Sequence, residues 1–169
     1  VVLADWGIWS YLVMLFERRA DGSFKHPHEY RKNALATFST HDLPTFPGWQ
    51  SGHDLRVKRG LGLDPGETDE ERERARALLK QLMQECALGH AGDPTYLDVI
   101  RFLARTQSRL MIVSIEDVFG ILDQPNIPGT MLEHPNWRRR LPVALEDFNQ
   151  HKGLRAVAEA LREEHRSVP

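Results

Sequence analysis

Cysteine is nearly absent from this sequence: Cys86 is the one thiol in 169 residues. A single thiol excludes an internal disulfide framework and a multi-cysteine zinc site, and it fits a reducing, cytoplasmic setting. Long apolar runs are missing too. The most apolar early stretch, Gly7 to Phe16, stops at Glu17-Arg18-Arg19, short of the ~18 residues of a membrane span. An excess of basic charge is also lacking. The 22 Lys and Arg face 24 Asp and Glu, for a net charge of −2, so no basic face for nucleic acid is expected. Val1-Val2-Leu3 carries neither an initiator Met nor a signal-peptide layout. The expectation is a processed product or a piece of a longer protein. Internal repeats and low-complexity segments are absent.

What is present suffices for a packed core, since 41 % of residues are hydrophobic. Trp9–Glu17 is a near-continuous apolar run without alternation, the pattern of a strand buried on both faces of a parallel sheet. Ala34–Ser39 and Leu110–Ile115 read the same way. Arg18 to Lys32 and the polar stretch from Gly48 to Gly66 read as loops. Thr68 and Glu71 form a capping box that opens a helix. Its apolar positions Ala75, Leu78, Leu79, Leu82, Met83 and Cys86 recur at helical spacing, and Gly89 supplies the stop. A second helix is expected from Thr95 to Thr106. The tail carries helical segments over Pro142–Phe148 and Leu154–His165, with a break at Gly153. Three apolar strands with intervening helices make an α/β pattern that looks like one arc of a larger assembly.

Two polar clusters follow strands. Thr40-His41-Asp42 sits after Ala34–Ser39, ahead of the rigid Leu43-Pro44. Such strand ends carry chemistry in α/β folds, but an Asp beside a Pro is equally a turn former. Glu116-Asp117 follows the third strand and reads first as a helix start, with a carboxylate pair as the other reading. Asn126, in the stiff Pro125-to-Thr130 loop, and Asn136-Trp137 before Arg138-Arg139-Arg140 offer amide, indole and guanidinium groups. That set suits sugar hydroxyls and ring faces, or a phosphate patch, or a solvated charge run. His26-Pro27-His28 lacks the further ligands a metal needs, so no metal is expected. Gly60-Leu61-Gly62 lacks the third glycine and the preceding strand of a dinucleotide fingerprint.

The ordered set Ser10-Tyr11, Leu15-Phe16-Glu17, Thr40-His41-Asp42-Leu43-Pro44-Thr45, Gly48-Trp49, Glu116-Asp117, Asn126-Ile127-Pro128-Gly129-Thr130 and Asn136-Trp137-Arg138-Arg139 closely resembles the C-terminal part of the amylomaltases, the 4-α-glucanotransferases. The likeness covers nearly the whole chain. It implies a (β/α)8 barrel without cofactor, of which this chain would hold strands six to eight, with a helical insertion at about 50–108 between the last two. It implies a retaining transfer of α-1,4-glucan segments between maltodextrins, chemistry that uses a nucleophile and an acid/base ~5–5.5 Å apart. By the same resemblance Asp42 is the third, transition-state-stabilising carboxylate and His41 the imidazole on the same sugar. Asn126, Glu17, Trp49 and Asn136 are further substrate-binding residues. The nucleophile and acid/base of the family lie upstream of a segment like Val1–Ser10. The isolated chain is therefore expected to be inactive, with the N-terminal remainder of the barrel and a maltodextrin as its partners. A non-catalytic glucan-binding module, or one half of a split barrel, is the alternative.

Overall fold

The computed structural model describes residues 5–89 and 92–166. Its frame is a parallel sheet of β1 (Ser10–Val13), β2 (Ala34–Thr37) and β3 (Leu110–Met111), with β2 in the centre. Ser10 stands opposite Ala34, and Leu35 opposite Leu110. The strands are shorter than their apolar runs. Beyond Val13 the chain winds into a 3-10 turn, Met14–Phe16, and Glu17 N–H donates to the Val13 and Met14 carbonyls. Ile115, expected in the third strand, instead opens a helix capped by Ser114. Single bonds carry the ladder a little further, from Leu15 N–H to Phe38 O and from Ile112 N–H to Ala36 O.

Nor are the strands buried on both faces. Leu12, Ala34, Ala36 and Phe38 point into the core, whereas Tyr11 is 56 % and Ile112 47 % exposed. Side chains alternate along a strand, so one row meets the helices and the other faces an open cleft. Ala34 and Ala36 keep the covered face low, and Phe102, Leu103, Leu79 and Met83 fill in above it.

Six helices are described. The stretch from Gly48 to Gly66, read as loop from its polarity, holds most of α1 (Phe46–Ser51) and all of α2 (His53–Gly60). Thr45 caps α1, Pro47 sits in its first turn, and Gly52 at φ +67 makes the joint between the two. Each helix is short, which hides its periodicity. α3 (Asp69–Glu85) opens on the Thr68/Glu71 capping box and ends before Gly89, at Ala87 with φ +53. α4 (Tyr96–Ala104) opens on a second box, Thr95/Asp98. α5 (Ile115–Val118) follows β3. A 3-10 segment, Leu145–Gln150, replaces the helix expected over Pro142–Phe148 and leads into α6 (Lys152–Glu163). Gly153 does not break that helix. It lies in its first turn, where a Cβ would stand 2.9 Å from the Val118 carbonyl oxygen, so the glycine lets α6 approach α5.

The helices between β2 and β3 share one core with the sheet, from Leu12 and Ala36 through Phe102 to Leu79. A smaller cluster seats Val157 and Ala160 of α6 against Ile100 of α4. Burying one such Leu or Phe side chain stabilises by about 1.5–3 kcal/mol. Among the described residues no helix is long and apolar enough to cross a membrane.

Candidate active site

The open row of the sheet and the loops after its strands enclose a cleft of about 420 Å³, lined by Tyr11, Thr37, His41, Asp117, Trp137 and Arg139 among others. It lies beyond the C-terminal ends of parallel strands, where loops project functional groups in such folds.

The loop after β2 is built to hold a fixed shape. Ser39 Oγ donates to Pro44 O at 2.7 Å across the turn, and Leu43 N–H donates to Thr40 O at 3.1 Å. The turn leaves His41 and Asp42 at its tip, with side chains 57 % and 44 % exposed. Asp42 Oδ1 accepts from Asn126 Nδ2 at 2.6 Å, across 84 residues of sequence. Its Oδ2 stands 3.4 Å from His41 Nε2. Asn126 N–H also donates to His41 O at 3.1 Å, and Gln124 Nε2 donates to both Asp42 O and Asn126 O. Both loops are thus tied by main chain and side chain. An ionised carboxylate has about four acceptor sites, so Asp42 keeps acceptor capacity for a ligand's hydroxyls.

Asp117 lines the same cleft. Its Oδ1 accepts Phe46 N–H at the start of α1, while Oδ2 has no hydrogen-bond partner among the described residues. The residue is 5 % exposed. Burial pushes its carboxyl up to about 7, against the opposing hydrogen bond from Phe46, with Glu116 adding to the rise. Thr45 Oγ1 donates to Leu122 O at 3.0 Å, and a Cβ on Gly48 would stand 2.4 Å from the same oxygen. Only glycine lets α1 press so close on the loop after α5. On the outer wall, Asp123 bridges His53 Nε2 at 2.8 Å and Arg139 at 2.9 Å.

His41, Asp42 and Asn126 therefore come together. The other three residues expected to touch substrate lie elsewhere. Trp49 is 3 % exposed, packed edge-on against Phe38. Its place on the inward side of α1, not visible while that segment read as loop, explains the difference. Asn136 is consumed within its own loop. Its Oδ1 accepts Ile127 N–H, and its Nδ2 donates to Thr130 O and Oγ1. Glu17 pairs with Lys25 at 2.6 Å after the 3-10 turn carries it off the line of β1. Trp137, whose indole was one of the groups read from the sequence as suiting a sugar, a phosphate or solvent, has its ring 5.1 Å from that of His41. Asp117 was read as a helix-start acid. It does lie in α5, but its carboxylate turns inward to cap α1.

The fold places the chain among the amylomaltases. Over 95 % of its length it superposes on the amylomaltase of Corynebacterium glutamicum with a TM-score of 0.82 at 26 % identity, covering 26 % of that chain. The amylomaltase of Streptococcus agalactiae, solved in complex with acarbose, has the same fold at a TM-score of 0.70, 23 % identity and coverage of 99 % of this chain and 29 % of the other. These are barrel enzymes, and this chain matches an α/β part of one, with a small parallel sheet. Residues 1–146 match the 4-alpha-glucanotransferase family, and the chain belongs to that family. The 4-alpha-glucanotransferase of Mycobacterium tuberculosis is 32 % identical over 92 % of the chain, and that of Haemophilus influenzae 30 % identical over 90 %. The chain spans about a quarter of the length of these relatives, 24 % in each case.

Proposed function

We propose that this chain is the C-terminal portion of a retaining 4-α-glucanotransferase that moves α-1,4-glucan segments between maltodextrins in the cytoplasm, without a cofactor. In this reading β1, β2 and β3 are the sixth, seventh and eighth strands of a (β/α)8 barrel, and the helices over about 50–108 are its late insertion. The remainder of the barrel covers the exposed row of Tyr11 and Ile112. Family membership supports the reading. The observation that carries it furthest is the Asn126–Asp42 hydrogen bond, which fixes a half-exposed carboxylate with acceptor capacity to spare next to His41, one of the residues that line the cleft.

Asp42 acts on charge. A glycosyl ring gains positive charge as its bond to the leaving group breaks, and the chemistry passes through an oxocarbenium-like transition state. A carboxylate accepting the ring's hydroxyls grips harder as that charge grows, so its contribution falls mainly on kcat. His41 and Asn126 hold the carboxylate and bond the same sugar. The nucleophile and the acid/base come from the rest of the barrel, so the 169 residues alone do not turn over. The test is glucose release from maltotriose, by the full-length gene product and by the isolated chain. The reading requires activity in the first and none in the second. A full-length product that binds maltodextrin without transferring it would instead mark a glucan-binding module.

A further inference from the structure

Trp137 holds a backbone conformation that its type rarely adopts. Its φ is +59, in the left-handed region, where an L side chain crowds its own carbonyl. The surrounding bonds over-determine it. Trp137 N–H donates to Pro125 O at 3.0 Å, and Arg138 N–H to Pro135 O at 3.2 Å. The preceding residue, Asn136, is fixed by its bonds to Ile127 and Thr130. Arg139, two residues on, is anchored by Asp123. A strained residue persists only where its neighbours impose it, and such residues cluster at ligand sites.

The strain does not bury the ring. Trp137 is 65 % exposed, against 3 % for Trp49. Its indole lines the cleft, 5.1 Å from the His41 ring, and Asp42 Oδ2 lies 3.4 Å from Nε2 of that imidazole. A rigid apolar plate thus sits one residue away from a hydroxyl-binding carboxylate. A pyranose has the matching halves, a face of C–H groups and a rim of hydroxyls, and amphipathic aromatics suit such mixed surfaces. We infer that Trp137 is the stacking platform for a glucosyl unit next to the one bonded by His41, Asp42 and Asn126. The inference rests on the glucan reading of the site.

The experiment uses the full-length gene product with maltohexaose and the variants Trp137→Ala, Trp137→Gly and Trp137→Phe. The Gly variant removes the plate while relaxing the backbone, so its melting temperature stays at or above that of the Ala variant. Ala and Gly raise KM about ten-fold, the size of a 1.4 kcal/mol contact. They leave kcat within about two-fold, because stacking is shared by ground and transition states. Phe restores most of the affinity. Maltohexaose changes the tryptophan fluorescence of the wild type, and Trp137→Phe abolishes that component. Unchanged KM in the Ala and Gly variants overturns the platform, as does a fall in kcat alone, which would make Trp137 a support for His41. A wild type that neither binds nor converts maltohexaose overturns the glucan reading itself, and the platform with it.

Discussion

Removing Arg72 should destabilise the chain more than any surface charge change. Arg72 of α3 grips Asp54 of α2 with two bonds of 2.8 Å each, and both side chains are almost fully buried, at 3 % and 4 % exposure. Arg72 also donates to Trp49 O at 2.8 Å, pairs with Glu67, and lies over the Trp49 ring. The two partners are not equivalent. Without Asp54 the guanidinium keeps Glu67 and a carbonyl. Without Arg72 the buried Asp54 carboxylate loses the donor to both of its oxygens. Breaking a buried pair costs about 3–5 kcal/mol, so Arg72→Met belongs in that range. Asp54→Asn retains an acceptor and falls nearer 1–3 kcal/mol. The double change Asp54→Leu/Arg72→Met removes both charges and should recover most of the loss. Urea unfolding of the full-length gene product, read as midpoint shifts at constant m, tests this. An Arg72→Met loss below about 1 kcal/mol would refute the reasoning. So would a double variant as unstable as the two single losses added together.

Gly48→Ala drives a methyl into the Leu122 carbonyl and should cost about 1–3 kcal/mol, with lost activity because α1 and the loop after α5 separate; a melting temperature like wild type would contradict it. Asp117 gives the chain a pH signature. Its folded carboxyl titrates at about 7 against an ordinary 3.8, so its stabilising contribution is full below about 4 and is lost as pH rises to about 7, at up to ~1.4 kcal/mol per pH unit. Asp117→Asn keeps an acceptor for Phe46 N–H and should flatten stability across that window; parallel wild-type and variant profiles would refute the assignment. Asn126→Ala should lower kcat with little change in melting temperature, since it frees the Asp42 carboxylate at an exposed junction; unchanged kcat would detach that bond from function.

Helix α3 was legible twice over, by a capping box and by an apolar stripe, and α4 by its apolar positions, its Thr95/Asp98 box emerging in the structure. Asp42, His41 and Asn126 were legible as a motif set, although their meeting depends on a contact across 84 residues that no local pattern encodes. The strands were overread. An apolar run does not show where pairing stops, nor whether its second face is covered within this chain; here Tyr11 and Ile112 are exposed, the row proposed to be covered by the remainder of the barrel. Trp49 was taken for a substrate contact and is buried, while Trp137, left open between sugar, phosphate and solvent, stands exposed. Each is a tryptophan beside polar residues, and only the register of α1 turns the first inward, while only a left-handed backbone turns the second out. Asp117 went unnoticed as a brace because acids at helix starts usually serve their own helix.

We propose above all that Asp42 acts on the charge of a reacting sugar. The direct measurement is kcat and melting temperature for Asp42→Asn in the full-length gene product, with maltotriose as substrate. Asn keeps the shape and turn-forming ability of Asp but loses the charge. The expected result is a fall in kcat on the order of 10²–10³ or more, a much smaller change in KM, and a melting temperature within a few degrees of wild type. A kcat near wild type would contradict it and leave Asp42 a turn former, since Asn caps turns about as well as Asp.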